Sequence, residues 1–169
     1  MIVRKDLFGK KEPDTPILAD WDEFEKSPDT YYNTPCVYAM YVTGLNCSYM
    51  NQMGGLDYYK LLANQRGKML WDFLETCGDY YKSKVTDKSI RSRVNVIFRI
   101  CGGDTKMEEQ FINDARKAGI VQIKAHFFNP GIRVSMYNAM PIKGVAYLTQ
   151  FMRVWMMEHP HPKFSAPKM

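Results

Sequence analysis

The segment Ala125-His126-Phe127-Phe128-Asn129-Pro130-Gly131-Ile132-Arg133 places a histidine and an arginine at the two ends of a short loop that Asn129-Pro130-Gly131 must turn. Arg133 then alternates with Ser135, while Ile132, Val134 and Met136 take the opposite face of the next strand. A guanidinium on a strand whose other face is core must find an anion, and its planar fork suits a carboxylate. Spacing leaves that anion open between a ligand and an Asp or Glu of the chain itself. His126 is likewise open to a chemical role or an ordinary structural one.

Asn33-Thr34, just before Pro35, gathers an amide, a hydroxyl and the free N–H groups of a helix start. That is the chemistry of a phosphate site, and equally of a plain N-cap. Lys82, Lys84, Lys88, Arg91 and Arg93 form a basic run beside Tyr80 and Tyr81, as a nucleic-acid surface would. Asp87 interrupts the run, which reads as a solvated loop, so no nucleic-acid partner is expected. Glu158-His159-Pro160-His161 could hold a metal only weakly, at the start of a Pro-containing tail expected to fray. Cys36, Cys47, Cys77 and Cys101 lack metal-site or disulfide-framework spacing and read as free buried thiols. Gly102-Gly103 opens no phosphate-loop fingerprint, and neither a nucleophile elbow nor H-E-x-x-H is present.

The elements that must position these groups follow from periodicity. Residues 1–4 suggest a short strand, and the Pro- and charge-rich stretch to residue 32 suggests an extended arm. Thr34 is expected to cap a helix with Pro35 in its first turn, carrying Tyr38, Tyr41, Val42, Leu45 and Tyr49 until Gly54-Gly55. A second helix over residues 56–77 presents Leu56, Tyr59, Ala63, Leu70, Phe73 and Leu74. Strands are expected at Tyr80-Tyr81, 94–100, 120–124 and 132–136. Thr105-Lys106-Met107-Glu108 has capping-box form and opens a helix with Phe111, Ile112, Ala115 and Ala118 on one face. Pro141 opens the last helix, with Val145, Leu148, Phe151, Met152, Trp155 and Met156.

The result is an α+β fold: helices around a small, mostly antiparallel sheet, with β-α-β-β-α order in the second half. With 169 residues and 46% hydrophobic content, the chain can bury one real core. Its net charge of +5 suits an anionic ligand but does not require one. No apolar run reaches the roughly 18 residues of a membrane span. The opening residues lack a basic-then-apolar leader, which implies a cytoplasmic location.

In order, Tyr32-Asn33-Thr34-Pro35, Arg91-Ser92-Arg93-Val94-Asn95-Val96, Phe98-Arg99 and residues 124–139, with Gly131-Ile132-Arg133 and Tyr137-Asn138-Ala139, resemble the C-terminal part of the phosphoserine aminotransferase family, a class V pyridoxal-phosphate-dependent group. The resemblance implies the small C-terminal domain of a fold-type I aminotransferase, preceded by a strand and arm left from the large domain. It divides the chain into an arm at 1–32, the small domain with its leading helices at 33–159, and a flexible tail at 160–169. It implies pyridoxal 5'-phosphate as cofactor and amino transfer from glutamate to 3-phosphohydroxypyruvate in serine biosynthesis. It further implies a homodimer, with Asn33 and Thr34 contacting the cofactor phosphate of the partner subunit.

By the same resemblance Arg133 holds the substrate carboxylate and His126 lies near the substrate phosphate. The family's arginine after that histidine is replaced here by Phe127. The cofactor lysine of the family falls before Met1, which implies a fragment inactive on its own. The alternative is a diverged, non-catalytic interaction module that uses Tyr38, Tyr41, Leu45 and Tyr49 to bind a protein partner.

Overall fold

The computed structural model describes residues 2–164. The chain divides into two compact units, Met1–Met50 and Asn51–Met169.

In the first unit, residues 2–4 have no strand partner, and the 3-10 turn Lys5–Leu7 follows them. The strand expected there does not form among the described residues, because a lone strand has no neighbour to satisfy its N–H and C=O groups. The arm instead folds on itself. Helix α1, Trp21–Lys26, is capped by Asp20, whose carboxylate accepts the Asp22 N–H and also pairs with Lys11 Nζ at 2.5 Å. Phe24 packs between Trp21 and Tyr32 at centroid distances of 6.4 and 5.9 Å.

Helix α2, Val37–Gln52, begins two residues later than Thr34-Pro35 suggested, with Met40 N–H donating to Cys36 C=O. Cys36 is therefore the capping position, and Pro35 holds Thr34 extended ahead of it. Apolar and polar residues alternate round α2 and none of its residues is buried. Tyr38, Tyr41, Leu45 and Tyr49 are all exposed.

The second unit contains the core. Helix α3, Gly55–Thr76, buries Leu70, Trp71, Phe73 and Leu74 in its last two turns, whereas Leu56 and Leu61 near its start stay exposed. Strands β1, Tyr81–Lys82, β2, Asn95–Ile100, and β3, Ile132–Ser135, form an antiparallel sheet in the order β1-β2-β3. Alternation sends Val96, Phe98, Ile100, Ile132 and Val134 to the buried face. Helix α4, Thr105–Lys117, and helix α5, Ile142–Glu158, close the core on it: Phe111 stands perpendicular to Trp155 at 5.1 Å, and Tyr81 meets Phe98 and Phe111 edge-on.

Two further expectations need correction. Residues 120–124 form no strand, because Gln122 turns left-handed at φ 62°; only a bridge between Lys124 and Ile132 and the Arg133 N–H to Ile123 C=O bond remain. The cap of α4 is Asp104, which accepts the Lys106 and Met107 N–H groups, and not Thr105. Glu108 is thereby released from a capping box. In residues 159–164, Tyr80 Oη donates to His159 C=O at 2.5 Å, and His161 bridges to Phe164. Residues 165–169 of the expected tail lie outside the described residues.

Candidate functional site

On β2 and β3 the register pairs Asn95 with Ser135, Ile97 with Arg133 and Phe98 with Ile132. Asn95, Ile97, Arg99, Arg133 and Ser135 thus share the face turned away from the core. That face is polar and partly buried. Ser135 Oγ donates to Asn95 Oδ1 at 2.9 Å, so these two side chains satisfy one another at its edge.

Arg99 and Arg133 differ sharply in their partners. Arg99 Nε lies 2.7 Å from Glu108 Oε1, and the same carboxylate accepts the Ile100 N–H at 3.2 Å. Glu108 is buried, and this pair consumes its charge. Arg133 enters none of the ion pairs among the described residues, and its Nε is buried without a hydrogen-bond partner. Of the two readings open from spacing, a structural pair with a buried carboxylate is therefore not what the fold builds at Arg133. A half-buried cation with an idle donor is suited to an anionic ligand.

The loop that feeds β3 is pinned at its base. Ala125 N–H donates to Gly131 C=O at 3.1 Å and Asn129 N–H to His126 C=O at 2.9 Å. This turn puts His126 in the solvent, where its Nδ1 lies 3.4 Å from the Phe128 N–H and its ring lies against Phe127 and Phe128. His126 and Arg133 thus flank one loop, closed by a single bridge between Lys124 and Ile132 and not by a strand pair.

Asn33 and Thr34 lie in the other unit, where both are exposed and neither side chain bonds to another described residue. Their amide and hydroxyl are free to meet an oxyanion such as a cofactor phosphate. The donor set fits such a group.

The chain is 39% identical over 153 residues to the phosphoserine aminotransferase of Ralstonia nicotianae, 33% over 153 residues to that of Chromobacterium violaceum, and 36% over 153 residues to a probable phosphoserine aminotransferase of Dictyostelium discoideum. Each match takes in 90% of this chain. The chain is a relative of the phosphoserine aminotransferases. It spans about two-fifths of the length of these curated relatives, from 39% to 41%. No family model matches it.

Solved phosphoserine aminotransferases give the same answer for the fold. That of Bacillus circulans subsp. alkalophilus superposes with a TM-score of 0.79 at 27% identity, over 92% of this chain and 42% of that one. The pyridoxal-phosphate-bound enzyme of Trichomonas vaginalis gives 0.74 at 25% identity, over 84% and 39%. The α+β architecture is that of a partial phosphoserine aminotransferase.

The structure also places the other residues that the sequence singled out. In the basic run Lys82 pairs with Asp79, Lys88 and Arg91 pair with Glu75, and Arg93 bonds Asn64, while the Arg91 guanidinium sits 4.4 Å over the Trp71 ring. His159 stacks on Trp155 at 4.1 Å, and no metal-binding group of three His, Cys, Asp or Glu occurs among the described residues. Cys77 and Cys101 are buried, and burial pushes each thiol up to about 11. Cys36 and Cys47 are exposed, contrary to expectation, because α2 has no buried face.

One residue escaped the sequence reading. Arg66 of α3 is 1% exposed, and its Nη1 donates to Met140 C=O at 2.6 Å and Asn138 C=O at 3.3 Å, fastening the segment that leaves β3. Its position in the helical apolar period, between Ala63 and Leu70, was the available signal.

Proposed function

We propose that the chain serves pyridoxal-phosphate-dependent amino transfer as the part of an aminotransferase that grips the substrate carboxylate and the cofactor phosphate. The unpaired Arg133 on the outer sheet face carries this reading. Its fork takes the carboxylate common to amino acids and 2-oxo acids, and the buried Nε makes the contact strong because water competes poorly there. Asn33 and Thr34 hold the cofactor phosphate, in a site completed by a second copy in a homodimer. When bound, the cofactor supplies the electron sink for amino transfer, and the protein orients it.

The relatives' names point to phosphoserine as the amino acid, and the family resemblance adds glutamate as donor and a phosphorylated 2-oxo acid as acceptor. His126 is then the group of the loop nearest the substrate phosphate. A cytoplasmic site of action accords with the absence, among the described residues, of any helix long and apolar enough to cross a membrane. The uncovered face of α2 supports packing against the remainder of the enzyme, so the 169-residue chain should self-associate or bind an apolar-surface dye. A monodisperse, dye-silent monomer would favour the independent interaction module instead.

The reading is tested by grafting this chain in place of the matching stretch of the Chromobacterium violaceum enzyme and following the glutamate half-reaction by the cofactor's absorbance. Turnover of the cofactor that Arg133→Ala slows by roughly a hundredfold, the loss of a charge-assisted bidentate contact, is expected. A folded chimera indifferent to Arg133→Ala sinks it. Separately, the 169-residue chain treated with pyridoxal phosphate and borohydride should give no stoichiometric adduct at a single lysine.

A further inference from the structure

A cavity of about 340 Å³ lies where the end of α4 meets the turn at 120–124, and Arg116, Gln122 and Lys124 line it beside Ile112 and Ile120. Its lining carries two cations and no carboxylate. Neither cation is used inside the fold: Arg116 and Lys124 enter no side-chain hydrogen bond or ion pair among the described residues. A basic residue in the last turn of a helix commonly serves the helix dipole. That end of α4 is already served. Ile120 N–H donates to Ala115 C=O at 2.8 Å, Ala118 N–H to Asp114 C=O and Gly119 N–H to Arg116 C=O, both at 3.0 Å. Lys117 supplies a charge there and pairs with Asp114 at 2.9 Å.

The backbone brings donors of its own to the same cavity. The N–H groups of Val121, Gln122, Ile123 and Lys124 meet no acceptor among the described residues. Gln122 is left-handed at φ 62°, and a left-handed residue inside a turn gathers successive N–H groups on one side, as backbone anion sites do. The carboxylates nearby do not cancel this charge. Glu108 is held by Arg99 at 2.7 Å. Glu109 lines the adjoining cavity with Lys124, but it precedes Arg116 by two helical turns, roughly 10 Å along the axis, which exceeds the Debye length of about 8 Å at physiological salt.

We propose that Arg116, Lys124 and the 121–124 backbone bind the phosphate group of a phosphate monoester. A dianion matches two unopposed positive charges, and its terminal oxygens can accept from guanidinium, ammonium and backbone N–H donors at once. Ile112 and Ile120 offer an apolar wall to the carbon atoms of the ester. Arg133 does not line this cavity, so its carboxylate role can fail without this site failing, and the reverse.

The test uses the 169-residue chain, nitrogen-labelled and followed by NMR while inorganic phosphate, O-phosphoserine, serine or chloride is added at constant ionic strength. Phosphate and O-phosphoserine should move the backbone signals of Val121 to Lys124 and the Arg116 Nε–H together and saturably, whereas serine and chloride should not. O-phosphoserine should bind at least as tightly as phosphate. Arg116→Gln/Lys124→Gln should weaken both about tenfold or more, through the loss of two charge-assisted contacts. Lys68→Gln/Lys117→Gln removes the same charge from lysines that pair with Asp72 and Asp114, and should leave the affinity within about twofold. The proposal is overturned if the 121–124 signals stay still, or if the two double variants weaken binding equally, since that would report net charge alone. Binding of phosphate without O-phosphoserine would overturn the monoester as ligand.

Discussion

Arg99 and Arg133 are diagonal neighbours on one face of the sheet, and of the two only Arg99 has a carboxylate, Glu108, within 2.7 Å. The difference predicts opposite responses to the same substitution. Arg99→Met strands a buried Glu108 carboxylate with the Ile100 N–H as its remaining bond, and should cost about 2–3 kcal/mol after discounting for the partial exposure of the arginine. Arg133→Met removes a cation that has no internal partner, and should leave stability within about 1 kcal/mol of the parent or raise it. Denaturant unfolding of the two variants decides the matter. Equal losses would mean that Arg133 is structural.

Acid should release the loop that carries the basic run. Hydrogen bonds from Lys88 and then Arg91 hold the Glu75 carboxyl at about 2, below its ordinary 4.5. A carboxylate with a depressed folded-state pKa contributes stability that is present above the unfolded value and lost as pH falls toward the folded one. The thermal midpoint should therefore fall between about pH 4.5 and 2, and the fall should be shallower in Glu75→Gln. Salt should shrink the difference between the two, because the pair is exposed. Identical acid slopes in parent and variant would remove Glu75 from the account.

Thiol titration reports on α2 independently. Cys36 and Cys47 are exposed, whereas Cys77 and Cys101 are buried with their thiols pushed up to about 11. At neutral pH a disulfide reagent should modify two thiols promptly in the folded chain and four in denaturant. Protection of Cys47 in the intact chain would show that something covers α2 in solution.

Much of this fold was legible because its long elements repeat cleanly. The apolar period of α3, α4 and α5 and the alternation of β2 and β3 each point to one structure. The failures are local. Gln122 adopts a left-handed conformation that no turn signal announces, and it reduces an expected strand to a bridge. Asp104 and Thr105 both suit a cap, and the choice of Asp104 frees Glu108 for Arg99, which is why a capping box was misread. That His126 and Arg133 flank one loop was legible from their spacing. Which of Arg99 and Arg133 would take the buried carboxylate was not, because both alternate onto the same strand face and only the packing of α4 chooses between them.

Gly131 links the sheet to the site, and its replacement should be felt in both. Its φ is 131°, and a Cβ there would stand 2.6 Å from the Phe98 carbonyl oxygen and 2.7 Å from Arg99 Cδ. The first of these is backbone in the central strand and cannot swing aside. Gly119, at φ 81°, has nothing within 4 Å of the place a methyl group would take, and so isolates the backbone contribution. Gly119→Ala should cost roughly 1–2 kcal/mol from the left-handed conformation alone. Gly131→Ala should cost more than that, about 3 kcal/mol or above, because the clash adds to the conformational strain. It should also disturb the Arg99–Glu108 pair and shift the Phe127 and Phe128 ring signals, since the loop closes on the Gly131 carbonyl. Equal costs at the two glycines, with unmoved ring signals, would mean that the loop is not braced against β2 at this point.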